Sequence, residues 1–333
     1  MSWSRAVAAA AAATVAVVLA GCATTAPTGA VTAAIAPPPN PAEVRANELG
    51  LIPVLMYHRL VENPVSVYDR TPADFRAELQ RLAGEGYVPI TVADLSTGRI
   101  DIPAGKHPVA LTFDDGDPTT ITLGPDGTPA PGTAVRILMD VAAANPGFRA
   151  VASMYVNADP FGGGEAGTRA LRWLRDNGFE VGNHTAGHTN LRTAPAERAR
   201  EDIVRGDALI REALPGYAPS TLALPFGARP RDTRLAASGE GYSYTGVLLV
   251  GSNPADSPYS ADFEPSAIPR IRSQGATGTD AAFGSTTWLD KLAAQPQSRY
   301  TSDGNPAAVS YPARTGTPSP QLSTPVVAYE PLP

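Results

Sequence analysis

Carboxylate and imidazole side chains follow several apolar segments of this chain, and together they could bind a metal ion and move a proton. Asp114 and Asp115 directly follow one apolar segment. Neighbouring residues on an extended chain point in opposite directions, so one aspartate can coordinate a cation while the other handles a proton. His184 and His188 follow another segment, and their four-residue spacing puts two side chains on one face of a helical turn.

Two neutral imidazoles and one carboxylate make a three-ligand site with open coordination positions. This set suits a catalytic divalent ion, most readily Zn²⁺. A third histidine, His58, also follows an apolar segment. Each feature has an ordinary structural interpretation as well: a turn for the paired aspartates, a surface pair for the two spaced histidines, and a hydrogen-bonded core histidine for His58.

The elements that must position these residues alternate between strands and helices. Apolar runs predict strands at 51–57, 88–91, 108–113, 149–156, 179–182, 221–224, 244–250 and 267–271. Helical spacing of apolar residues predicts helices at 72–84, 133–144, 167–177 and 194–213. This alternation indicates βα units and a parallel sheet, and about seven units favour a closed barrel. In such barrels chemistry lies where the strands end, which is where these side chains stand.

The two ends of the chain differ in composition from the middle. Residues 1–21 resemble the signal peptide of a bacterial lipoprotein, and they end directly before Cys22, the residue that is lipidated in such proteins. Residues 22–47 are small and proline-containing, which is typical of a flexible, disordered linker. Residues 48–295 are predicted to form one domain, and 296–333 a disordered Pro/Ser/Thr-rich tail without a core. The chain is therefore predicted to be exported and lipid-anchored to the outer face of the cell membrane.

Composition excludes several classes of protein. A net charge of −6 without a basic run argues against binding to nucleic acid. One cysteine excludes an internal disulfide framework. Membrane attachment is expected only through the lipid, and nothing in the sequence defines an oligomeric state.

Three motifs carry a resemblance to a known family. TFDDG at 112–116 and HTAGH at 184–188 resemble the first two motifs of the polysaccharide deacetylases, also called NodB-homology or carbohydrate esterase family 4 domains. LPFG at 224–227 resembles the end of the third motif. The resemblance covers roughly residues 50–275. It implies a distorted (β/α) barrel that removes acetyl groups from a polysaccharide with the help of a divalent metal.

The resemblance also implies roles for individual residues. Asp114 matches the general base of the family, and Asp115, His184 and His188 match its metal ligands. The backbone N–H of Phe226 matches a donor of the oxyanion hole.

Two positions depart from the family pattern. The third motif usually includes an arginine that orients the base, and Ala223 stands at that position. The family also has a late histidine as general acid, and no histidine follows His188. Segment 53–59, PVLMYHR, resembles the opening strand of the poly-N-acetylglucosamine deacetylase branch, in which a histidine acts at this position. We therefore expect His58 to replace the missing acid.

The missing arginine has three candidate replacements. Arg270 lies on a late predicted strand, and Arg59 and Arg229 are the alternatives. We expect Arg270 to orient the base.

The predicted reaction is hydrolysis of N-acetyl groups on an extracellular or cell-wall polysaccharide, with release of acetate. Two alternatives stay open. The same residues could remove O-acetyl groups, or the domain could be a catalytically silent glycan-binding lipoprotein, because two positions of the family's proton relay are changed.

Overall fold

Residues 39–332 are described by the computed structural model. Its strands are β1 (Val54–Tyr57), β2 (Tyr87–Ile90), β3 (His107–Phe113), β4 (Ser153–Val156), β5 (Glu180–Asn183), β6 (Thr221–Ala223), β7 (Ser238–Gly239), β8 (Tyr242–Ser243), β9 (Gly246–Leu248), β10 (Ile271–Arg272), β11 (Val309–Pro312) and β12 (Val326–Tyr329). Its α-helices are α1 (Pro72–Gly84), α2 (Val92–Ser96), α3 (Ala134–Ala144), α4 (Gly164–Asp176), α5 (Ala196–Ala213), α6 (Arg234–Ala237) and α7 (Ser285–Ala294).

One parallel sheet of eight strands organises the domain. Seven strands follow the order β10-β1-β3-β4-β5-β6-β9, and β2 pairs with β3 beside them. A parallel bridge between Leu248 and Ile268 links β9 to the segment just before β10, so the curled sheet nearly meets itself. The predicted distorted (β/α) barrel is confirmed in this form.

Local sequence explains why the central elements form. All seven residues of β3 are buried, as expected for a parallel strand covered on both faces. Helix α1 begins after Thr71, whose side chain accepts a hydrogen bond from the backbone N–H of Asp74 at 3.0 Å. Phe75, Leu79 and Leu82 form its buried face and pack in the largest apolar cluster. The predicted boundaries of this helix are those observed.

The C-terminal segment corrects the predicted domain boundary. Tyr300 is fully buried and Val309 is 1% exposed, and both pack in an apolar cluster together with residues of β1 to β3. The prediction that 296–333 is a disordered tail without a core is therefore wrong for this part of the chain. Polar contacts hold the segment: the backbone N–H of Asn47 donates to the carbonyl oxygen of Thr301 at 2.8 Å. Such contacts leave no periodic apolar pattern in the sequence.

The start of the domain is also earlier than predicted. Ala46 is fully buried, although the predicted linker extends to residue 47. The signal peptide at 1–21 and the lipidated Cys22 lie outside the described residues and stay predictions. Within residues 39–332, no helix is long and apolar enough to cross a membrane.

A buried carboxyl group joins the two ends of the domain. Glu48 is 3% exposed, and its Oε2 accepts a hydrogen bond from the backbone N–H of Ser310 at 2.8 Å. Its Oε1 accepts one from the Tyr300 hydroxyl at 3.1 Å. Burial raises the pKa of Glu48 to about 7, and nearby Asp303 adds to this effect, whereas the Ser310 N–H opposes it.

This raised pKa predicts a pH-dependent stability. The folded state binds the Glu48 proton more tightly than the unfolded chain, so the stabilisation is complete below the ordinary pKa of 4.5 and is lost as pH rises through about 7. The loss for the wild-type protein should be about 2–3 kcal/mol. Glu48→Gln should remove this pH-dependent loss. As pH rises from 5 to 8, the variant should therefore gain stability relative to wild type in urea unfolding. A stability difference that stays constant over this range would contradict the assignment.

Candidate active site

The residues predicted to do chemistry gather at one end of the curled sheet. Three strands lead directly into them: His58 follows β1, Asp114 follows β3 and His184 follows β5. The carboxyl ends of parallel strands meet at the same end of a barrel, so residues far apart in sequence come together there. Phe226 lies in the turn after β6, and Arg270 directly precedes β10.

Asp115, His184 and His188 form a cluster suited to a metal ion. The Nε2 atoms of both histidines lie 3.4 Å from Asp115 Oδ1, and one ligand atom from each residue lies within 4.8 Å of the others. His184 Nδ1 lies 2.8 Å from the carbonyl oxygen of Ala223. Because a carbonyl only accepts hydrogen bonds, Nδ1 carries a proton, so in the neutral ring Nε2 has the lone pair that could bind a metal ion. These donors match the ligands expected for a catalytic divalent ion.

Charges in the cluster act on its histidines in different ways. Burial lowers the pKa of His184, but Asp114 and Asp115 outweigh it and hold that pKa above its ordinary value. Burial and the neighbouring His184 lower the pKa of His188. The half-exposed Asp115 has a lowered pKa, because hydrogen bonding and charge from His184 outweigh its burial. At neutral pH the carboxylate of the cluster is therefore ionised.

The loops that carry these ligands have strained backbones. Asp115, Thr185 and His188 have φ values of 73°, 61° and 50°, in the left-handed region that costs energy for residues other than glycine. Gly116 continues the first loop at φ 67°, and a Cβ there would lie 2.7 Å from Cβ of Pro160. The strain has to be offset by contacts that hold the loops in place.

Polar side chains from helix α5 and nearby strands hold the histidine loop. Asp202 is 3% exposed, and its carboxylate accepts hydrogen bonds from the N–H groups of Gly187 and Thr189 at 2.8 and 3.2 Å. Asn183 Oδ1 accepts one from the N–H of Thr185 at 2.7 Å. These supporting residues carry no motif of their own, and sequence analysis missed them. The buried polar positions Asn183 and Asp202, beside otherwise apolar spacing, are the signal that could have found them.

Asp114 is the most strongly fixed group of the site. Arg270 Nη1 and Nη2 each donate to one oxygen of the Asp114 carboxylate, both at 2.7 Å, and Arg270 is fully buried. Arg270 is fixed in turn, because its Nε donates to the carbonyl oxygen of Leu249 at 2.8 Å. Burial alone would raise the pKa of Asp114, but Arg270 and His184 hold it well below its usual range.

Of the three arginine candidates, the structure brings Arg270 to Asp114. Arg59 instead donates to both oxygens of Asp69, at 2.9 Å each. Arg229 is exposed and makes no hydrogen bond to Asp114. The small Ala223 is fully buried at the position where the family has its arginine.

His58 also lies near the Asp114 carboxylate. Its Nε2 is 4.0 Å from Asp114 Oδ2, and its ring packs against Tyr68 with 4.9 Å between the ring centroids. Within residues 39–332 its buried Nδ1 has no hydrogen-bond partner. Burial lowers the pKa of His58, although Asp114 acts in the opposite direction, so the ring is neutral at neutral pH.

Phe226 borders the metal-ligand cluster. Its φ is 58°, the residue is 63% exposed, and its ring centroid lies 4.6 Å from that of His188. The backbone N–H of Phe226 donates to no group in the described part of the chain. A free N–H beside the ligand cluster is available to an oxygen of a bound substrate.

Comparison with family models gives a match in the middle of the chain. Residues 101–245 match the family model described as polysaccharide deacetylase. The matched segment contains the cluster of Asp115, His184 and His188 as well as Asp114 and Phe226, but not His58 or Arg270. No curated protein sequence matches the chain.

Solved structures share the fold. IcaB from Ammonifex degensii is 21% identical with a TM-score of 0.51, and the match covers 73% of this chain and 96% of that chain. The Streptococcus pyogenes deacetylase PplD in complex with acetate is 21% identical with a TM-score of 0.52, covering 67% and 92%. A polysaccharide deacetylase from Bacillus cereus is 21% identical with a TM-score of 0.53, covering 73% and 68%. Residues 101–245 therefore carry a polysaccharide deacetylase domain.

Proposed function

We propose that this protein is a metal-dependent hydrolase that removes N-acetyl groups from an extracellular or cell-wall polysaccharide and releases acetate. The observation that carries the proposal is the three-ligand cluster of Asp115, His184 and His188 beside the ionised carboxylate of Asp114. Export and a lipid anchor at Cys22 belong to the same proposal. They rest on the sequence of residues 1–22 and would bring the domain to such glycans.

A divalent ion held by the three ligands, most readily Zn²⁺, would supply a water of lowered pKa and polarise the acetyl carbonyl. The residues of the chain perform the proton transfers. Asp114 is ionised and fixed by Arg270, so its Oδ2 can accept the proton of the attacking water. The free N–H of Phe226 donates to the oxygen of the acetyl group as negative charge develops there.

His58 completes the transfer of a proton to the leaving group. The neutral ring lies 4.0 Å from Asp114 Oδ2, so it can take up the proton that Asp114 accepts and deliver it to the leaving nitrogen. The water proton thereby ends on the amine, and the hydroxyl ends on the acetate. Because both changed relay positions have a replacement near Asp114, this geometry favours an enzyme over a silent glycan-binding domain.

Removing a ligand tests the metal assignment. Asp115→Ala or His184→Ala should lower the amount of bound metal and abolish acetate release, because only two of the three ligands would remain. Metal content and acetate release from N-acetylglucosamine oligomers are the measurements, and Asp126→Ala, in the exposed loop after β3, is the matched control. Full metal content and activity in both ligand variants would show the assignment to be wrong. Acetate released only from O-acetylated xylan would instead favour an esterase.

Removing the His58 ring tests the proposed role of this residue as the general acid. His58→Ala should keep the metal, because His58 is outside the ligand cluster, and should lower kcat by about 10²–10⁴. Metal content and steady-state rates with an N-acetylated oligosaccharide decide the matter. An unchanged kcat would remove His58 from the reaction.

A further inference from the structure

The segment that follows β4 contacts both loops that carry the aspartate and histidine ligands, and it takes no part in the mechanism above. Strand β4 lies between β3 and β5 in the sheet, so the residues after it can reach both the aspartate loop and the histidine loop, residues 184–189. The backbone N–H of Phe161 donates to the carbonyl oxygen of Gly116 at 2.5 Å. The N–H of Ala158 donates to the carbonyl oxygen of Ala186 at 3.0 Å. This segment therefore joins the two loops of the ligand cluster.

Asn157, the first residue after β4, holds the backbone of the histidine loop. Its Nδ2 donates to the carbonyl oxygen of His184 at 2.7 Å and to that of Thr185 at 2.9 Å. A side-chain amide has two N–H groups, so both donors of Asn157 are used here. The loop needs such contacts, because Thr185 has a φ of 61°, in the region that costs energy for residues other than glycine. Asn157 therefore offsets strain directly beside a metal ligand.

Helix α5 also contacts the histidine loop, at a residue without a side chain. Gly206 is buried in the interior of this helix, and a Cβ there would overlap Oδ1 of Asn183 and lie 3.0 Å from the backbone nitrogen of Ala186. One turn earlier in the helix, the carbonyl oxygen of Asp202 accepts a hydrogen bond from the N–H of Ala186 at 3.1 Å. Glycine is less favourable than alanine inside a helix, so the close approach of helix and loop explains why glycine stands here.

The Asn183 amide that a side chain at position 206 would displace is itself fixed. Its Nδ2 donates to the carbonyl oxygen of Ile203 at 2.9 Å and to the Tyr244 hydroxyl at 2.7 Å, while Oδ1 accepts from the N–H of Thr185. Asn183 is also fully buried. A methyl group added at position 206 would therefore push on the histidine loop rather than on a mobile side chain.

We propose that Asn157 and Gly206 are positioning residues that hold the histidine loop in its ligating conformation before a metal ion binds, and so set the affinity of the site for a divalent ion. Ligands that are already ordered lose less conformational entropy when the ion binds. The inference rests on the proposed function, because it takes the cluster of Asp115, His184 and His188 to be a metal site.

The dissociation constant of Zn²⁺, measured on metal-free protein by competition with a chromophoric chelator, tests this inference. Asn157→Ala and Gly206→Ala should each weaken Zn²⁺ binding by about 10- to 100-fold, the usual effect of losing a group that orients metal ligands. Asn177→Ala and Gly84→Ala are the matched controls and should keep the wild-type affinity. Asn177 Nδ2 also donates to a backbone carbonyl oxygen, in α4, and a Cβ on Gly84 at the end of α1 would meet no described atom within 4 Å.

A second measurement follows the loop without a metal ion. In metal-free protein, hydrogen exchange of the backbone N–H groups of Gly187 and Thr189 should be faster by about tenfold or more in Asn157→Ala and Gly206→Ala than in wild type. Thermal unfolding shows whether each variant is folded, and Asn157→Ala alone decides if Gly206→Ala is not.

Wild-type Zn²⁺ affinity or wild-type exchange rates in the folded loop variants would overturn the proposal, and so would equal losses of affinity in the two controls. If the wild-type protein binds no divalent ion, the proposed function fails, and the exchange rates then test the positioning role separately. Faster exchange in the loop variants would support that role, whereas unchanged exchange would exclude it.

Discussion

Asp114 carries a buried negative charge that would be costly without a partner, and Arg270 provides that partner through two hydrogen bonds of 2.7 Å. Breaking a buried pair by removing one partner typically costs about 3–5 kcal/mol. The pair also joins residues that are 156 positions apart, so it holds the end of β3 against the segment before β10. The orientation of the carboxylate depends on this contact, and its ionisation depends on this contact together with His184.

In the proposed mechanism, the same pair replaces the contact of the arginine that the family pattern has at position 223, where this chain has alanine. The sheet order places β3 beside β1 and β1 beside β10, so Arg270, which directly precedes β10, can reach Asp114. His58 enters from β1, which lies between these two strands. Both replacements for the family's changed positions therefore come from the part of the sheet that lies outside residues 101–245.

Sequence predicted the parts of the structure that have local signals. Buried runs such as β3 and periodic segments such as α1 were predicted because alternation and spacing report burial directly. The strand ends then located Asp114, Asp115 and the histidines. The burial of the segment that contains Tyr300 and Val309 could not be predicted, because Tyr300 and Ser310 bond to Glu48, more than two hundred residues earlier. Asp202 was missed because its hydrogen bonds to the N–H groups of Gly187 and Thr189 follow no motif. Arg270 was expected in preference to Arg59 and Arg229, but only its hydrogen bonds to Asp114 separate it from them.

The most direct test of this account is the rate of the Asp114→Asn variant with the metal bound. Asparagine keeps the shape of the side chain and leaves Asp115, His184 and His188 intact, but it cannot accept the proton of the attacking water. The account predicts normal metal content, a folded protein by thermal unfolding, and a fall in acetate release of at least about 10²-fold. A folded, metal-loaded variant that releases acetate at the wild-type rate would contradict the assignment of Asp114 as the base.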